Sequence, residues 1–468
     1  MQRPGDINDF SLSPNKLSQT PTLCYSDAVA TVQRWDCSAQ PWVTYSYSQS
    51  SSSLDLHQRS TNEWSHSINQ LFFALPSSPA DPITAYLGSP QFEDYALSLF
   101  DRTMEHAYFK PMRDHSVQLH GAMISRLRNS PSSRWVIFIS MKICEDLIDG
   151  GRFQTDTYVR CIEDIAAAIC RRLGQNTTPR ETEYLREDWL EISIISSVFG
   201  RGPNQYVALR NATPTFLQTA YSVPDLWSCG SDPALIPLMK VVRSGNHTLS
   251  TYTMIDCMCA MSFGLPQQIE YDTTVETLPA DFLPQEWATG TPVEFQILLS
   301  DINSCRDKSP RARDWKDIEH TLVHWESRVI PTDDYWESWM VVAWLAVQES
   351  WRLSLLVYLY LAVCGLPSDD VRIQRYVTQI LQVVGTVKKQ NESDIGAPFF
   401  IQYLIVGICA RKEKHRKITR SKVSDPMMAA LDFVPVLDHL WHGAGSGGRP
   451  VTWGDYICSR EAKLPVPV

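Results

Sequence analysis

Residues 335–365 read YWESWMVVAWLAVQESWRLSLLVYLYLAVCG, from Tyr335 to Gly365. No proline or glycine interrupts the run before Gly365, and helix formers dominate it. Its length predicts one long helix or two abutting helices. Asp333 and Asp334 stand just ahead, where N-caps belong and where the helix dipole favours acidic side chains. Trp336, Trp339, Ala343, Ala346 and Ser350 fall on one helical stripe. An aromatic stripe at that spacing predicts a buried core rather than a ligand cage, and Trp351 is expected to share it. Arg352 is the exception, because an arginine amid apolar neighbours must snorkel or pair. Glu349 and Asp256 are its candidate partners.

Helical patterns continue on both sides. Phe92, Tyr95, Ala96, Leu99, Phe100, Met104 and Ala107 follow the i, i+3, i+4, i+7 rule. Tyr158 to Leu173 forms a second stripe, with Asp156 and Thr157 able to cap it and Gly174 to stop it. Glu183–Phe199 ends at Gly200, and Thr251–Phe263 ends at Gly264 and Pro266. Val293–Cys305, Trp315–Trp325, Asp369–Val384 and Pro398–Ala410 add further helices. Arg134–Met141, RWVIFISM, is the one β-like run, and a buried helix segment would read the same way. The fold class expected is all-α: a large helical-array domain over 89–445, a C-terminal tail at 446–468 packed on it, and a disordered tail over 1–88. That first segment is rich in Ser, Thr, Gln and Pro and buries too little apolar surface to offset its ordering entropy. Ser13, Thr20, Ser78 and Ser89, each followed by proline, are candidate phosphorylation positions in or beside it, or simply turns.

The 468 residues are 44% hydrophobic and carry a net charge of −10, so the chain as a whole should not attract nucleic acid. Twelve cysteines are too few for a disulfide scaffold, and none shows C-x2-C spacing. Reduced, buried thiols in the cell interior are expected. The longest unbroken apolar run, Leu355–Cys364, falls short of a membrane span, and no membrane association is expected.

Catalytic and metal-binding signals are weak. The glycine cluster Gly443–Gly448 follows no strand and reads as a flexible turn rather than a phosphate loop. His320 and His324 are four apart on a helix but lack the base of a zinc-protease motif. Glu145, Asp146 and Asp149, with Asp333 and Asp334, are the carboxylates an α-helical magnesium-dependent lyase would need, without a convincing partner motif. No catalytic residue, metal or cofactor is expected. The basic run Arg411–Lys422 offers a nuclear-import patch at Arg411, Lys412, Lys414, Arg416 and Lys417, or else a solvated loop.

The block from Glu349, ESWRLSLLVYLYLAVCGLPSDDVRIQRYV, resembles the signature of the fungal-specific transcription factor domain, the helical regulatory region of fungal zinc-cluster regulators. PFFIQYLIVGICARKEKHR, from Pro398, resembles that family's next motif, and Ile255-Asp256…Gly264-Leu-Pro266…Tyr271-Asp272 an upstream one. Order and spacing agree over about residues 90–460. The signature positions are then Asp256, Gly264, Tyr271, Asp272, Trp351, Arg352, Tyr358, Tyr360, Gly365, Phe399, Phe400 and Gly407. The resemblance implies an all-α nuclear protein that regulates transcription through protein partners (the transcription machinery, a paralogous regulator or a second copy) and through an effector. The family's six-cysteine zinc module has no counterpart here. The first 90 residues hold only Cys24 and Cys37, so DNA contact is expected only indirectly, unless an upstream exon encodes the cluster. The competing expectations are a cytoplasmic helical scaffold or adaptor without catalysis, and the magnesium-dependent lyase.

Overall fold

The computed structural model describes residues 82–110, 113–149, 155–199, 204–227, 232–275, 283, 286, 290–327, 336–388, 399–424 and 432–467. Expectations for residues 1–81, for Gly200 and for Asp333 and Asp334 as caps lie outside them.

The regular structure of the described residues is almost wholly helical. α1 (Pro82–Leu87), at the end of the Ser/Thr-rich segment, precedes α2 (Pro90–His106), α3 (Arg113–Asn129) and α4 (Pro131–Ile148). α5 (Thr155–Leu173), α6 (Pro179–Phe199), α7 (Asn204–Ser222) and α8 (Leu238–Arg243) follow. α9 (His247–Phe263), α10 (Val293–Arg306), α11 (Trp315–Val323) and α12 (Ser338–Tyr358) come next. The chain ends with α13 (Val371–Val384), α14 (Phe400–Cys409), α15 (Glu413–Val423), α16 (Val434–His442) and α17 (Trp453–Lys463). The only sheet among the described residues is a two-residue parallel pair, β1 (Ile236–Pro237) against β2 (Tyr271–Asp272).

RWVIFISM is therefore helical, inside α4, and it buries Trp135, Val136, Ile137 and Ile139. α5 begins at Thr155, so Asp156 sits in its first turn instead of ahead of it. The basic run is also helix rather than loop: α15 holds Thr419 and Val423 inward and turns its lysines outward. The Gly443–Gly448 stretch is not a free linker. It contains a 3-10 turn, and Arg411, Arg416 and Arg449 donate to the carbonyls of Gly448, Gly445 and Gly443.

Two apolar cores form. The first gathers α2, α4 and α5 around Phe92, Ile139, Tyr158 and Ile165. The second, larger one is centred on α9, α10, α12 and α14. α6 serves both: Leu185 and Ile192, seven residues apart on one face, enter the first core, while Leu190 and Ile194 enter the second. A buried ion cluster reinforces this junction. Arg126 of α3 donates to Asp188, at 2.8 Å, and to Glu191 of α6, and Ser132 and Ser133 of α4 also donate to Asp188. α7 carries the chain onto α9, where the Phe216 and Tyr252 rings stack with centroids 4.4 Å apart.

α12 is apolar on nearly every side, as a helix buried within a large domain should be. With the π-helical turn Leu359–Val363 that extends it, it spans 26 residues and holds an 18-residue window of mean hydropathy 1.3, enough by length and composition to cross a membrane. However, 67% of that window is packed inside the protein, which is the setting of a core helix. The one-long-helix alternative thus holds, with a change of winding at its end. Gly365, at φ 68°, then turns the chain, and the Leu366 amide donates to the Tyr360 carbonyl across the widened turn.

Candidate functional site

The side chains with the most developed chemistry meet where α9 ends. Asn246 caps the start of this helix by accepting from the Leu249 amide. Gly264 ends it at φ 61°, with the Gly264 amide on the Met261 carbonyl and the Leu265 amide on the Ala260 carbonyl, a Schellman closure. A Cβ at Gly264 would lie 1.9 Å from Ile457 Cδ1, so glycine here serves both the turn and the seating of α17.

Asp256, on α9, is fully buried. Its Oδ1 accepts from the Gln268 amide and its Oδ2 from the Tyr271 hydroxyl, each at 2.9 Å. The carboxyl thereby folds the segment after the helix back against it and places β2 beside β1. Burial pushes this carboxyl up to about 7, against the opposing pull of the Gln268 and Ile269 amides and the Tyr271 hydroxyl. Its ordinary unfolded value is about 3.9, so between the two the folded protein holds a proton that the unfolded chain has released. This stabilising contribution is complete below about pH 4 and is lost as pH rises through about 7. Asp256→Asn should abolish that dependence. In urea unfolding between pH 5 and 8, the wild type should lose on the order of 3 kcal/mol more than the variant. Parallel pH profiles for the two proteins would disprove it.

α10 faces α9 with a polar stripe at Gln296, Ser300, Asn303 and Arg306. Gln296 Nε2 donates to Thr253 Oγ1 at 2.8 Å. Asn303 Nδ2 donates to the Cys257 carbonyl and to Gln267 Oε1, both at 3.0 Å, and Gln267 donates onward to Ser300 Oγ. Tyr358, from α12, donates to Asn303 Oδ1 at 2.7 Å. Arg306, with only 5% of its side chain exposed, completes the set. Nε and one Nη2 hydrogen go to the Asp307 carboxylate, Nη1 goes to the Ala260 carbonyl and the Tyr358 hydroxyl, and the remaining Nη2 hydrogen goes to the Leu265 carbonyl. All five guanidinium N–H groups thus have acceptors. The Tyr358 ring packs on Trp453 of α17, 5.3 Å between centroids.

Of the twelve signature positions, Asp256, Gly264, Tyr271 and Tyr358 meet in or beside this network. Asp272 only closes a turn with the Thr274 amide. Trp351 is buried in the second core. Arg352 pairs with Glu349 through two bonds of 2.7 Å and donates to the Leu322 carbonyl. Asp256, the other partner considered for it, is occupied elsewhere. Tyr360 bonds Glu319, and the Arg372 guanidinium lies 4.6 Å above its ring. Phe399 and Phe400 are buried, and Phe400 meets Phe433 edge-on. Gly407 permits a close approach: its carbonyl takes the Trp441 indole N–H at 2.8 Å, and a Cβ there would come within 2.8 Å of Leu437 and Thr419.

The other candidates are dispersed. His320 and His324 stack on each other, 4.1 Å between centroids. Glu145 is bonded by Lys142 and Tyr95, Asp146 by Tyr158 and Asp149 by Arg102. Burial pushes the Cys257 and Cys259 thiols up, away from reactive thiolates.

Residues 246–457, from the cap of α9 into α17, match the family model of the fungal specific transcription factor domain. That stretch is similar to this domain. No curated protein and no solved structure matches the chain. The match begins well after residue 90, so α1 to α8 lie outside it. Among the described residues, the regular structure of the matched stretch is helical apart from the two residues of β2, and the family it resembles is described as a transcription factor domain. Arg306 and Asn303, which hold the α9–α10 network, carry no signal in the sequence beyond a polar stripe that reads like a solvent face.

Proposed function

We propose that the domain acts in the nucleus as a non-catalytic regulatory module that binds partner proteins. The family match carries this reading. It is supported by how the signature side chains are spent: Asp256, Tyr271, Tyr358 and Arg352 all bond within the fold, which leaves the outward helix faces for contacts. The full chain fused to an unrelated DNA-binding module should change expression of a reporter bearing that module's site several-fold. An unchanged reporter, in both activation and repression formats, would sink the proposal, and a tagged chain held in the cytoplasm would favour an adaptor.

The import patch is part of the same proposal. Within it, Arg416 is structural, bonded to the Ala410 and Gly445 carbonyls and 5.8 Å above the Trp441 ring, and Arg411 holds the Gly448 carbonyl. Lys412, Lys414 and Lys417 are exposed and are the residues free to meet an import receptor. Replacing these three lysines by alanine should lower the nuclear fraction of the tagged chain while leaving its melting temperature unchanged. Arg416→Ala should instead lower the melting temperature. Undiminished nuclear accumulation of the triple variant would remove the patch from the proposal.

A further inference from the structure

Ser89 stands before Pro90 at the junction of α1 and α2. Its Oγ donates to the Tyr86 carbonyl at 2.6 Å and accepts from the Phe92 amide at 3.3 Å, in a part-exposed setting. Ser89 and Pro90 line a surface cleft of about 170 Å³ together with Glu93, Arg128 and Arg134. Two arginines from different helices thus line a small cleft with the Ser89-Pro90 pair. Arg128, from α3, is 65% exposed and is held by Glu93 through contacts of 2.5 and 3.2 Å. Arg134, from α4, uses its Nε on the Leu127 carbonyl, and its two Nη groups make no hydrogen bond among the described residues.

We propose that Ser89 is a phosphorylation site for a proline-directed protein kinase, and that Arg128 and Arg134 receive the phosphate. The kinase transfers the γ-phosphoryl group of ATP: an Oγ–P bond forms, the bond from Pγ to the β-phosphate oxygen breaks, ADP leaves with that electron pair, and the hydroxyl proton passes to solvent. The product carries about −1.5 to −2 charge and three acceptor oxygens, the ligand that paired arginines bind best. Phosphorylation also removes the donor to the Tyr86 carbonyl and sets Glu93 beside a like charge. Arg128 then exchanges a carboxylate for a phosphate, and the modified residue ties α2 to α3 and α4 at the edge of the first core. This inference is independent of the regulatory reading above.

The test treats the full chain with a proline-directed serine/threonine kinase and ATP, maps phosphate by mass spectrometry, and follows the Ser89 resonance by ³¹P NMR, assigned by its loss in Ser89→Ala. Stoichiometric phosphate on Ser89 is expected. Its titration midpoint should fall from the usual value near 6 to about 5, a tenfold weaker hold on the proton. Arg128→Gln with Arg134→Gln should return the midpoint to that of a phosphopeptide spanning residues 82–95. Two results overturn the proposal: an unmodified Ser89 in the folded chain when the peptide is fully modified, or a peptide-like midpoint in the folded phosphoprotein.

Discussion

Arg306→Met should lower the unfolding free energy by about 3 kcal/mol, the cost of removing a charged donor from the buried carbonyls and hydroxyl it serves. The guanidinium serves two backbone carbonyls at the end of α9, the Tyr358 hydroxyl and the Asp307 carboxylate. Methionine fills much of the space but leaves both carbonyls without this donor and a carboxylate without its partner. Lysine restores the charge but not the fork, so Arg306→Lys should recover only part of the loss. Chemical denaturation of the three proteins measures this, and a fully stable lysine variant would show that charge alone matters at this position.

Trp351→Ala should cost a similar amount, about 3–5 kcal/mol, for a different reason: deleting an indole from a packed interior removes its contacts and leaves a cavity. Trp351 is 3% exposed in the second core, and its Nε1 has no acceptor among the described residues. Trp351→Phe, which loses only that unsatisfied N–H and part of the volume, should recover most of the stability. An unchanged melting temperature for the alanine variant would mean that the indole is not part of the core. The two substitutions together separate a polar support of the domain from an apolar one.

The apolar elements were legible in the sequence because burial writes itself as periodicity. The α2 and α5 stripes, the glycine stop of α9 and the long α12 all follow from spacing and helix-ending residues. The Glu349 partner of Arg352 was legible for the same reason, since i and i+3 share a helix face. The polar network was not. Gln296, Ser300, Asn303 and Arg306 have the spacing of a solvent face, and only the opposing backbone of α9, contributed from some forty residues earlier in the chain, makes them interior. The run at Arg411–Lys422 was ambiguous because charge density masks the two inward residues, Thr419 and Val423, that dock it as a helix. The π-helical turn Leu359–Val363 carries no mark in the sequence.

The helix shared by the two cores lies outside the matched stretch yet inside its packing. The matched stretch opens at Asn246, yet Leu190, Ile194 and Phe216, all upstream, are built into the interior that α9 and α12 occupy. A fragment starting at residue 246 would bare the Tyr252 face on which Phe216 stacks and withdraw the Tyr206 hydroxyl from the Pro266 carbonyl. Residues 246–457 alone would therefore leave part of that interior bare, and α6 and α7 are its missing wall.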